Sequence, residues 1–286
     1  MRDLAFTKMH GLGNDYVYMN CLEHDLDNAP AVARFVSDRH FGIGADGLVL
    51  IKPSTRGTAR MQMFNADGSE AEMCGNAIRC VAKFLHDEGI TTGTQVVIET
   101  LAGDLAIDIM LENGSAVGAR VDMGAPRLNG PDIPVAVQKN PVANEPVSLS
   151  DIDDPRAGNL RFTAVSMGNP HAVFFTEEVT DYQIHTLGPR LEVHELFPNR
   201  INVEFARVLN RGEIEMRVWE RGSGETLACG TGACATAVAA NLNGLTDRTV
   251  ELHLLGGTLT IEITDDTVFM TGPATRVFDG VVHCPV

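Results

Sequence analysis

Short apolar runs broken by glycine, proline and asparagine turns dominate this chain, the pattern of many short strands. In the first half, strands are predicted over Ala5–Met9, Tyr16–Met19, Leu48–Ile51, Arg60–Asn65, Gln95–Thr100, Leu105–Leu111 and Ala119–Met123. In the second half they are predicted over Ala172–Phe175, Ile201–Val208, Ile214–Val218, Val250–Leu255, Thr258–Ile263 and Val268–Met270, with one more ending at Gly168. Three stretches shift to helical spacing: Ala31–Arg39, Asn76–His86 and Ala233–Leu242. In the second of these, Ala77, Ile78, Val81, Ala82, Phe84 and Leu85 recur every three or four positions, and Gly89 ends it. Gly244 closes the third in the same way.

Each half therefore reads as many strands and one small helix that is apolar nearly all round, and such a helix must be buried. The expectation is an α+β chain of two pseudo-symmetric domains. Each would be a curled, mostly antiparallel sheet or barrel around a central helix, with the active site in the cleft between them. Domain boundaries are expected at 1–125 and 126–274, with a C-terminal strand near 275–286 returning to the first domain. The Pro-, Asn- and Asp-rich stretch Gly124–Pro155 marks the join.

With 286 residues there is room for two cores, and no apolar run reaches the ~20 residues a bilayer span needs. A net charge of −16 argues against nucleic acid and anionic membrane as partners. Residues Met1–His10 lack a signal-peptide pattern, so the six cysteines are expected to be thiols in the cytoplasm.

Two segments stand out: Gly68-Ser-Glu-Ala-Glu-Met-Cys74-Gly-Asn76 and Gly222-Ser-Gly-Glu-Thr-Leu-Ala-Cys229-Gly-Thr231. Their cysteines lie 155 positions apart. Each cysteine precedes a predicted helix, where open N–H groups and the helix dipole favour a thiolate. The amides of Gly75, Asn76, Gly230 and Thr231 are suited to holding a carboxylate. A carboxylate so clamped, with a sulfur on either side of the adjacent carbon, has the geometry for removing an α-proton from one face and returning one to the other. The same amides stabilise the enolate-like carbanion between the two steps. Zinc fits poorly, because Cys74/Cys80 and Cys229/Cys234 match no usual ligand spacing. Cys21, Cys80, Cys234 and Cys284 read as packing residues.

The segments Lys8-Met-His-Gly-Leu-Gly-Asn-Asp15, Phe64-Asn-Ala-Asp-Gly-Ser-Glu70, Cys74-Gly-Asn76, Gly168-Asn-Pro-His171, Glu220-Arg-Gly222 and Ala228-Cys-Gly-Thr-Gly232 occur in this order, and with them the chain closely resembles the diaminopimelate epimerase family. The resemblance implies interconversion of LL- and meso-diaminopimelate without pyridoxal phosphate or metal, in lysine and peptidoglycan-precursor biosynthesis, by a homodimer. It implies Cys74 and Cys229 as the acid/base pair. It also implies substrate contacts from Asn14, Asn65, Asn169, Asn202, Glu220 and Arg221, with His171 and Glu220 tuning the thiols. Asn76 stands where the wider superfamily, which includes proline racemase, typically has histidine. Gly47 stands where some relatives carry a substrate-binding glutamine, so no side chain can fill that corner. Two rival readings are a related racemase whose substrate has one carboxylate end, and a redox protein in which Cys74 and Cys229 form a reversible disulfide.

Overall fold

The computed structural model describes residues 2–149, 152 and 154–285. Met1 and Val286, at the outer ends of the expected domains, and Ser150, Asp151 and Asp153, in the expected join, lie outside the described residues. The chain divides into two compact units, Met1–Asp122 with Thr271–Val286, and Met123–Met270.

In the first unit, β1 (Arg2–Gly11) turns back into β2 (Asn14–Asn20). Helix α1 (Ala29–Ser37) then leads to β3 (Gly47–Lys52), which lies parallel to β2. Strand β4 (Ala59–Asn65) pairs antiparallel with β3, and the two-residue β5 (Glu70–Ala71) pairs with β4. Helix α2 (Gly75–Asp87) crosses over to β6 (Gln95–Thr100), parallel to β4. The antiparallel β7 (Gly103–Glu112) and β8 (Ser115–Asp122) follow.

The two-residue alternation decides which face each side chain serves. Val17, Met19, Leu48, Leu50 and Phe64 join a core with Val32, Ala33 and Val36 of α1. The alternate residues Tyr16, Tyr18, Val49, Ile51, Met61 and Met63 are buried on the other face, where the Tyr18 hydroxyl donates to Ala77 O of α2 at 3.3 Å. Strands β1, β2, β6, β7 and β8 all pack on α2, which is thereby enclosed. Burying Ile78, Val81 and Leu85 there contributes about 1.5–3 kcal/mol each relative to exposure.

The second unit begins with β9 (Glu145–Val147), α3 (Pro155–Gly158), β10 (Leu160–Ser166) and β11 (Pro170–Phe175). A π-helical turn, Gln183–Leu187, runs into α4 (Gly188–Glu192), and β12 (Asn202–Asn210) then lies parallel to β11. Next come β13 (Glu213–Glu220), β14 (Gly224–Thr226) and α5 (Gly230–Leu242), which crosses over to β15 (Thr249–Leu254), parallel to β13. Strand β16 (Gly257–Ile263) is antiparallel to β15. Helix α5 is enclosed by β10, β11, β12, β13, β15 and β16. The chain ends with β17 (Val268–Pro273) and β18 (Thr275–Cys284), the latter running antiparallel along β1 from Cys284 opposite Arg2.

The chain is thus an α+β fold in which one strand order is used twice. In each unit a hairpin leads by a parallel crossover to a second hairpin, and a second parallel crossover contains the enclosed helix. Even the helix ends agree. Gly89 and Gly244 have φ of +67° and +73°, and their N–H groups bond back to His86 O and Asn241 O at 3.0 and 2.9 Å. The next residues, Ile90 and Leu245, reach back to Leu85 O and Ala240 O at 2.9 and 3.0 Å, a Schellman cap in both cases.

Candidate active site

The repeat holds residue by residue where the polar candidates lie. Tyr16 pairs with Gly47 across β2 and β3, and His171 pairs with Asn202 across β11 and β12. The same offset of 155 relates Asn14 to Asn169, Asn65 to Glu220, Cys74 to Cys229, and Asn76 to Thr231. Each unit therefore gathers its candidates at equivalent strand ends beside the start of its enclosed helix.

In the first unit Cys74 is the N-cap of α2, in extended conformation with φ −138° and ψ 121°. Its Sγ–H donates to Asn14 Oδ1 at 3.3 Å. The Asn14 amide in turn donates to Asp46 Oδ2 at 2.8 Å, and Arg39 reaches both Asp15 Oδ1 and Asp46 Oδ1 at 2.9 Å. Lys8 adds an ion pair to Asp15. Burial pushes against the Asp15 charge, but hydrogen bonds from Arg39 and Lys8 outweigh it and hold that carboxyl below its ordinary value. Burial and the Asp15 charge push Asp46 up. Asn14 is thereby fixed in the orientation that offers oxygen to the thiol.

The first intrahelical bond of α2 runs from Ile78 N–H to Cys74 O at 3.0 Å, so the amides of 75–77 precede the ladder. Arg79, fully buried, ties this turn together by donating to Gly75 O at 3.0 Å and to Asn76 Oδ1 at 2.9 Å. Asn65 is exposed at the end of β4, and its amide donates to Ser69 Oγ at 3.0 Å. At Gly47 a Cβ would fall 2.1 Å from Phe64 O and 2.7 Å from Tyr16 Cε1. The corner lacks a side chain because β4 and the Tyr16 ring occupy its space.

In the second unit Cys229 is the N-cap of α5, with φ −118° and ψ 111°, and its Sγ accepts from Gly232 N–H at 3.4 Å. Thr231 Oγ1 lies 3.5 Å from the sulfur. Burial pushes the Cys229 thiol well above its ordinary value, and the charges of Glu220 and Glu204 push the same way. The Thr231 hydroxyl and Gly232 amide oppose them. Glu220, at the end of β13, accepts from Thr226 Oγ1. Burial raises its carboxyl, while the Thr226 bond and the His171 charge pull it down.

Asn202 staples three segments, donating to Pro170 O at 2.8 Å and accepting from Arg221 N–H at 2.9 Å. The Arg221 side chain itself is exposed, with Nη1 3.3 Å from Asn199 O. His171 is fully buried, with Nε2 3.0 Å from Asn169 Oδ1 and Nδ1 2.6 Å from Glu204 Oε1.

Asn14, Gly75, Asn76 and Cys74 thus meet at the start of α2. Asn169, His171, Glu220, Cys229, Gly230 and Thr231 meet at the start of α5. Sequence reasoning missed Arg79, Glu204 and Asp46. Arg79 and Glu204 sit inside apolar runs, and a single charge there looks like an outward-facing position. All six cysteines are thiols, and Cys21, Cys80, Cys234 and Cys284 are buried. Among the described residues, Glu213, Glu251 and His253 form the one cluster of three metal-ligating side chains, and it contains no cysteine.

The family model described as diaminopimelate epimerase matches residues 6–129 and 163–277, which include both cysteine caps. The chain belongs to the diaminopimelate epimerase family. It is 50% identical over 281 residues to the diaminopimelate epimerase of Methanococcus maripaludis strain S2, covering 98% of this chain and 99% of that one. With the diaminopimelate epimerase of Acetivibrio thermocellus the identity is 52% over 281 residues, covering 98% of each chain. Among solved structures, the fold resembles a hydroxyproline epimerase from Agrobacterium vitis with a TM-score of 0.66, at 14% identity, over 99% of this chain and 91% of that one. No helix among the described residues is long and apolar enough to cross a membrane.

Proposed function

We propose that this chain is a diaminopimelate epimerase that interconverts the LL and meso isomers by two-base proton transfer at the α-carbon. The observation that carries the reading is the repeated cap: two cysteines, equivalent in a duplicated fold, each at the start of an enclosed helix. One thiolate takes the α-proton while the other sulfur delivers a proton to the opposite face. The amides of Gly75, Asn76, Gly230 and Thr231 hold the reacting carboxylate and stabilise the carbanion as its charge develops. Asn14 orients Cys74, while Glu220 and His171 set the charge around Cys229. Asn65, Asn169, Asn202 and Arg221 hold the distal amino-acid end, for which the planar fork of Arg221 suits the second carboxylate.

The same reading makes the protein a cytoplasmic homodimer acting on a small molecule, with the cysteines kept reduced. Sedimentation of the reduced protein tests the dimer. The mechanism is tested by Cys74→Ala and Cys229→Ala. Each is expected to abolish conversion of LL- to meso-diaminopimelate while leaving the circular dichroism spectrum unchanged. Near-full turnover by either variant overturns the two-base scheme.

A further inference from the structure

Glu204 is a buried carboxylate inside an otherwise apolar strand. Its side chain is fully enclosed, as is that of His171, and Oε1 lies 2.6 Å from His171 Nδ1. The second oxygen, Oε2, is buried without a hydrogen-bond partner. A carboxylate in such a place is costly unless a positive charge compensates it.

The fold itself does not require the charge. In the repeat, Glu204 pairs with Val173 across β12 and β11, as Val49 pairs with Tyr18 across β3 and β2. Val49 fills the equivalent place in the first unit and is likewise fully buried. An apolar side chain therefore satisfies the packing at this position of the architecture.

The surroundings accommodate the carboxylate specifically. A Cβ at residue 232 would fall 2.8 Å from Glu204 Oε1, so Gly232 leaves room for the carboxylate against the first turn of α5. There the helix dipole favours negative charge. On the opposite side of the ring, His171 Nε2 meets the oxygen of Asn169 at 3.0 Å. Each ring nitrogen thus has an oxygen partner, an arrangement that a ring protonated on both nitrogens satisfies. The other titratable groups around the pair are Glu220, from β13, and Cys229, at the cap of α5.

We propose that Glu204 is a positioning residue of the epimerase site: it holds His171 as a doubly donating imidazolium, turned toward Asn169 and balancing negative charge as Cys229 ionises. The proposal rests on the epimerase reading above. Glu204 touches neither substrate nor sulfur and acts through His171.

Glu204→Gln is the informative change, because its amide oxygen can still accept from Nδ1 while the charge is lost. The expected result is a thermal midpoint no lower than that of the parent protein, a kcat lower by about tenfold or more, and KM within about threefold. Nitrogen-15 NMR of the unsubstituted enzyme should show protons on both ring nitrogens of His171, and the Nδ1 proton should lose its downfield shift in the variant. A kcat within about twofold of the parent overturns the proposal. So does an activity loss matched by loss of stability or failure to fold, which makes Glu204 a structural residue. Absence of the second ring proton in the unsubstituted enzyme also overturns it. If that enzyme leaves diaminopimelate unchanged, the epimerase reading fails instead, and the His171 spectrum still tests the pair.

Discussion

At the scale of residues, the two caps differ in the charges around them. Cys74 hydrogen-bonds to a neutral amide oxygen, and the first turn of its helix is bound by the buried cation Arg79. Cys229 is buried near two carboxylates, Glu220 and Glu204, and holds its proton well above the usual thiol range. Removing the Glu220 charge should ease its ionisation. In Glu220→Gln, alkylation of Cys229 by iodoacetamide, followed by mass spectrometry at fixed mildly alkaline pH, is expected to be faster than in the parent enzyme. Slower labelling would mean that Glu220 does not oppose the thiolate. The cysteines were legible in the sequence because each sits in a glycine-flanked segment. Glu204 was not, since Asn202-Val-Glu-Phe reads as ordinary strand alternation, and only the parallel pairing of β11 and β12 turns its side chain toward His171.

At the scale of elements, apolar spacing located both enclosed helices, α2 to within one residue at its start, but missed the first turn of α5. α5 begins at Gly230, three residues before the predicted start, because Gly230-Thr231-Gly232 has poor helix propensity and is held instead by the Cys229 cap. The π-helical turn and α4, over 183–192, were missed altogether, being short and interrupted by Gly188 and Pro189. The glycine stops were read from the sequence at Gly89 and Gly244, and both caps form there. A Cβ meets nothing within 4 Å at either glycine, so the cost of alanine is that of the left-handed backbone alone. Gly89→Ala and Gly244→Ala should each lower unfolding free energy by about 1 kcal/mol, measured by urea denaturation, with kcat unchanged. A loss of several kcal/mol would mean that a Cβ at these caps clashes with neighbouring atoms.

At the scale of the whole molecule, the α+β class and the doubling were legible because the two cysteine segments repeat and each runs into an apolar stretch with helical spacing. The offset of 155 that also relates Asn14 to Asn169 and Asn65 to Glu220 became visible only through strand register. Several buried acids resist ionisation in the folded chain: Cys21 and Cys80 are pushed up to about 11 by burial, and Tyr18 and Cys229 well above their ordinary values. The unfolded chain releases these protons first, so above the ordinary thiol value of 9.0 it binds fewer protons than the folded chain. Stability is therefore fully present below that pH and is lost as pH rises from there toward about 11. Urea midpoints of the reduced protein should fall across this window, and a flat profile would contradict the burial of these groups.

In the proposed reaction two thiols exchange one α-proton with solvent while inverting its carbon. The most direct test is proton NMR of LL-diaminopimelate in deuterated water with the reduced enzyme and no added cofactor. The expected result is loss of the α-proton signal together with growth of the meso isomer. An intact α-proton signal, with the cysteines verified as thiols, would contradict it.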